Sequence, residues 1–172
     1  MLDDGLRYLL LALIATINFA CETDPNPASA TSWRFPNERD MSDDWKTFET
    51  EFPEPYHVSA DFDGNGVSDD MWIVIDSGGE GWRLISMMND SDEVITLTSS
   101  TAGLAQWYGI QLVEPGSYQT ACGKGYWDCG PNEPEQLLLT RPAVRFFRFE
   151  SASTLFYWNS ETGSFAEVAE SD

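Results

Sequence analysis

The chain has 172 residues and carries 29 acidic against nine basic ones, for a formal net charge of -20. Charge of that sign excludes unassisted binding to nucleic acid or to an anionic membrane, because like charges repel. Hydrophobic residues make up 42% and aromatics 13%, with seven Trp, which excludes an intrinsically disordered chain: burial can offset the entropy lost on ordering, and the length suits one domain rather than two.

The acidity leaves cations and basic proteins as the expected partners. Residues 8–20, YLLLALIATINFA, form an apolar stretch of secretory-signal length, too short for a span of about 20 residues. The segment 1–20 is therefore read as a signal peptide and excluded from the fold. Cys21 follows Phe19-Ala20 directly, and ETDPNPASATS after it is polar and rich in small residues and Pro. This arrangement resembles a bacterial lipoprotein signal. The resemblance implies lipidation of Cys21, a tether over residues 21–40, and residence in the bacterial cell envelope, in the periplasm or as an outer-membrane lipoprotein. Membrane contact would then be through the lipid only. Ordinary cleavage near Ala20 is the alternative.

Residues 41–172 are expected to form the folded domain. A short helix is expected to start at Ser42-Asp43-Asp44, where capping oxygens precede WKTFETEF and place Trp45, Phe48 and Phe52 on one face. Pro53 and Pro55 stop it. From Tyr56 onward short β-branched and aromatic runs alternate with turn residues: YHVSADF, MWIVI, WRLISMM, then VITLT at 94–98, GIQLV at 109–113, EQLLLT at 135–140, AVRFFRFE at 143–150, TLFYW at 154–158 and SFAEV at 164–168. The predicted fold class is mainly β, with antiparallel hairpins forming a small sandwich or sheet beside the one helix. A β-rich α+β arrangement is the alternative.

One stretch carries chemistry. In DFDGNGVSD, from Asp61 to Asp69, the oxygen-bearing side chains of Asp61, Asp63, Asn65 and Asp69 recur at alternate positions, and the Val67 carbonyl can serve as a fifth donor. Calcium takes six to eight hard oxygen ligands, which such a loop completed by water can supply. Gly66 occupies the sixth position, where the chain must turn sharply. An EF-hand would need a bidentate Glu at the twelfth position, where Trp72 stands. The pattern is similar instead to the calcium loops of FG-GAP/VCBS (integrin-like) repeats, in which a ninth-position acid is followed by a hydrophobic strand, here Met71 to Ile75. That resemblance covers about 30 residues and implies a structural Ca2+ ion and a hairpin, without the ligand binding of integrins.

Cys122 and Cys129, in CGKGYWDC, are expected to pair as a local disulfide in an oxidising compartment. The lone histidine, His57, is not expected to be catalytic, and no phosphate-binding Gly-rich loop is present. The C-terminal aromatics, Phe146, Phe147, Phe149, Phe156, Tyr157 and Trp158, are expected in the core, with a sugar- or peptide-stacking surface as the alternative. The function expected from the sequence is a non-enzymatic, calcium-binding envelope protein acting as a binding module. The alternative is an acidic immunity or inhibitor protein directed at a basic toxin or hydrolase.

Overall fold

The computed structural model describes residues 33–40, 45–46, 54–78, 81–91 and 93–171. These all fall in one unit, Thr31–Asp172. The segment read as a signal peptide, Cys21 and most of the helix expected after Ser42 lie outside the described residues. Trp45 and Lys46 are helical, and Trp45 is fully buried.

The strand that organises the molecule is Asp69–Asp76. Its alternation puts Asp69, Met71, Ile73 and Ile75 on one face and Asp70, Trp72, Val74 and Asp76 on the other. In chain order the strands are β1 (Trp33–Arg34), β2 (His57–Ala60), β3 (Asp69–Asp76), β4 (Trp82–Met88), β5 (Glu93–Ser100), β6 (Tyr108–Val113), β7 (Gly116–Gln119), β8 (Gln136–Leu139), β9 (Ala143–Arg148), β10 (Ser153–Asn159) and β11 (Ser164–Ser171). All pairings are antiparallel.

The first sheet runs β1-β3-β4-β5 with β2 also on β3. One edge of β3 is shared: β2 pairs along Asp69 to Trp72, and β1 pairs at Ile75 and Asp76. Residues 33–40 thus join the first sheet through β1. Two residues of strand have no period to read, which is why the sequence did not mark them as one. The segment is fixed further by Arg34, whose two guanidinium nitrogens donate to Asp40 at 2.7 Å each.

The second sheet runs β11-β10-β9-β6, and β7 with β8 forms a separate two-stranded ribbon. Met71, Ile73, Leu84 and Trp82 of the first sheet pack with Ile110, Val144 and Phe156 of the second in one core. On the opposite face of the second sheet, Val113, Ala143, Leu155 and Val168 pack with Leu137 and Leu139 of the ribbon in a smaller core. The order is therefore sheet, sheet, ribbon. Each large aliphatic side chain taken fully from water contributes roughly 2 kcal/mol to holding these layers together. Phe156 is buried, while Phe146 and Phe149 pack at the margin of the larger core.

Candidate metal centre

The loop between β2 and β3 is shaped by its own carboxylates. Asp61 accepts two backbone N–H groups through separate oxygens, from Gly64 at 2.7 Å and Gly66 at 2.9 Å. Asp63 accepts from the Asn65 backbone at 3.0 Å, and the Asn65 side-chain oxygen accepts from the Val67 N–H at 2.6 Å. These are the local side-chain-to-backbone bonds that Asp and Asn offer in turns. Gly64 and Gly66 have φ of 79° and 89°, the left-handed region that favours glycine.

Three of the sequence-predicted ligands converge. Ligand atoms of Asp61, Asp63 and Asp69 all lie within 4.8 Å of one another. Asn65 and Val67 sit on the exposed rim of the same turn, where the Asn65 amide donates to Asp63 at 3.1 Å. Among the described residues no Lys, Arg or His makes an ion pair with the three carboxylates.

Asp69 differs from its neighbours in being fully buried, because it is the first inward-facing residue of β3. Burial pushes its carboxyl above the ordinary range. Hydrogen bonds from the Asn89 and Phe62 amides oppose that push, and the charges of Asp63 and Asp90 add to it. The amide distances are 3.2 Å from Asn89 and 3.3 Å from Phe62. Phe62, the residue between Asp61 and Asp63, is itself buried in the main core. The loop is thereby pinned at both ends of the carboxylate cluster.

Asn89 and Asp90 were not legible as part of this site. They follow β4, and the register that sets Asp70 opposite Met87 brings the end of β4 beside the loop. The Asn89 side chain clamps the arrangement, donating to the Ser68 carbonyl at 2.7 Å and to Asp70 at 3.0 Å.

His57 lies on β2 with Nε2 2.9 Å from Asp70 and Nδ1 3.0 Å from Glu54, and its ring stacks on Trp72 at 3.8 Å. A histidine serving a nucleophile needs one ring nitrogen turned to it. Here both nitrogens face carboxylates.

Cys122 and Cys129 form a disulfide with their Cα atoms 5.0 Å apart, closing the connection between β7 and β8. Arg145 pairs with Glu170. Comparison with protein-family models, curated proteins and solved structures finds no match for this chain.

Proposed function

We propose that this protein is an exported, lipid-anchored envelope protein in which the loop Asp61–Asp69 holds a structural Ca2+ ion, and that it works as a binding module rather than an enzyme. The observation that carries the reading is the convergence of Asp61, Asp63 and Asp69 with no cationic side chain paired to them among the described residues. Two like charges about 4 Å apart repel by about 1 kcal/mol in water and about 4 kcal/mol near a protein surface. A divalent cation converts that repulsion into attraction. Oxygen-only donors favour Ca2+ or Mg2+ over softer metals, and a turn whose three convergent carboxylates can be joined by the Asn65 side-chain oxygen, the Val67 carbonyl and water suits the larger ion. Calcium so enclosed is a poor Lewis acid centre, so the role assigned is structural: it ties the β2–β3 turn to the buried start of β3.

The test is the thermal midpoint of the purified protein in chelator and in millimolar Ca2+. An ion present at 100 times its dissociation constant adds about 2.7 kcal/mol of stability. A rise in midpoint that disappears in Asp63→Ala supports the reading, and an unmoved midpoint removes it. A second reading, an acidic inhibitor of a basic toxin or hydrolase, is favoured by the net charge of -20; its test is a salt-sensitive complex with a basic partner protein.

A further inference from the structure

The connection between β7 and β8 displays two large aromatic side chains side by side. Tyr126 is 53% exposed and Trp127 41% exposed, and both lie inside the loop closed by Cys122–Cys129. The loop is held to the body of the domain as well. Ala121 donates its N–H to the Ala169 carbonyl at 2.8 Å, and Lys124 Nζ donates to the Glu170 carbonyl at 2.8 Å. The loop's one cation, Lys124, is exposed but tied to β11 by that bond, and Tyr126, Trp127 and Asp128 share the loop's outer surface with it.

Beside the loop lies a cleft of about 530 Å³ whose lining, among the described residues, includes Glu133, Glu167, Tyr157 and Pro134 and no Lys, Arg or His. Trp127 is coupled to this cleft: its indole N–H donates to both Glu133 carboxylate oxygens, at 3.1 and 3.2 Å. Glu133 also accepts from the Gly130 N–H at 3.3 Å, so its carboxylate is positioned before any partner arrives.

We infer that this face docks a basic protein, with a Lys or Arg side chain of the partner entering the cleft between Glu133 and Glu167 while Tyr126 and Trp127 pack on the surface around it. Three features fit that occupant. Two carboxylates lining one cleft complement a long cationic side chain, and Tyr157, an aromatic residue of the kind that attracts cations, lines the same cleft. Tyr and Trp are the residue types that most often carry binding energy at the centre of protein interfaces. A loop closed by a disulfide and tied to β11 loses little freedom on binding, which lowers the cost of association. The inference is independent of the calcium loop.

The probe is a fluorescein-labelled arginine–glycine repeat peptide, compared with the same peptide carrying citrulline in place of arginine, titrated with the whole protein at about 0.15 M salt and followed by anisotropy. The arginine peptide should bind and the citrulline peptide should not. Glu133→Gln, Glu167→Gln and Trp127→Ala should each weaken binding by about fivefold or more, as truncations at interface centres do. Glu54→Gln and Glu150→Gln, exposed acids that do not line the cleft, should change it by less than about twofold, as rim charges do. The two cleft glutamines preserve side-chain shape, so their effect is read without loss of the fold. Absence of arginine-dependent binding, or equal weakening by the cleft and control substitutions, overturns the assignment, the latter because net charge alone would then account for the affinity.

Discussion

Arg145 on β9 reaches across the intervening strand β10 and grips the Glu170 carboxylate of β11 with two guanidinium nitrogens, Nε and Nη2. The Arg145 Nη1 donates to Gln111 at 2.8 Å, so one side chain links β6, β9 and β11 on the face beneath the ribbon. Burial by itself would raise the Glu170 carboxyl; the hydrogen bonds and charge of Arg145, with Lys124 and Ser153, outweigh it and hold the carboxyl below its ordinary range.

That balance fixes an acid dependence. A carboxyl with a lowered folded pKa contributes stability that is complete above its ordinary range and is lost as pH falls through the folded value. Glu170→Gln should destabilise the protein near neutrality by about 3 kcal/mol, at the low end for breaking a buried ion pair because Arg145 keeps 26% of its side-chain exposure. The gap between parent and variant should close as the pH is lowered, since protonated Glu170 is as neutral as glutamine. Urea melts at neutral and acidic pH measure it; a gap independent of pH would assign the loss to packing.

In chelator, Asp63→Asn should raise stability by about 1 kcal/mol, because it removes one charge from three mutually repelling carboxylates. In millimolar Ca2+ the order should invert, with the parent more stable. A crossing of the two melting curves on addition of the ion is the expected signature, and parallel curves would count against a metal.

Gly64→Ala should cost more than the usual penalty for a side chain at positive φ. Its φ is 79°, and an added Cβ would stand 2.6 Å from Arg141 Cζ. Loss of about 1 to 2 kcal/mol is expected by denaturant titration, together with weaker Ca2+ binding. Gly64→Ala with Arg141→Ala should recover part of the loss.

Cys122→Ser should lower stability by about 2 to 3 kcal/mol, the chain-entropy value for a short closed loop. Mass spectrometry without reductant should show Cys122 linked to Cys129. In the reduced protein the arginine-peptide affinity should fall, because Tyr126 and Trp127 lose their fixed presentation.

Cys21→Ser should abolish partitioning into the detergent phase after expression in a bacterium with a lipoprotein pathway. Unchanged partitioning would remove the anchor.

Of the eleven strands among the described residues, nine were legible as runs of apolar, mostly β-branched or aromatic residues bounded by turn chemistry, as in MWIVI or TLFYW. Trp33–Arg34 and Gly116–Gln119 were not, the first being too short to show a period and the second, GSYQ, being polar and glycine-led. The acidic loop was legible from spacing alone, since its bonds are nearly all local. Asn89 was not, because its place beside Asp69 depends on the length and register of a hairpin. The same is true of Arg145 and Glu170, which lie 25 residues apart and meet only through the order of three strands. Local chemistry can be read from a chain, whereas contacts set by strand order require the fold.

The ties from Ala121 and Lys124 to the carbonyls of Ala169 and Glu170 make the last strand a latch for the aromatic loop. Tension or truncation at that end would be transmitted directly to Tyr126 and Trp127. A fusion partner or affinity tag on β11 would therefore pull on the aromatic loop, and Lys124→Ala would provide a form with the disulfide intact and one tie removed, separating the contribution of covalent closure from that of docking onto β11.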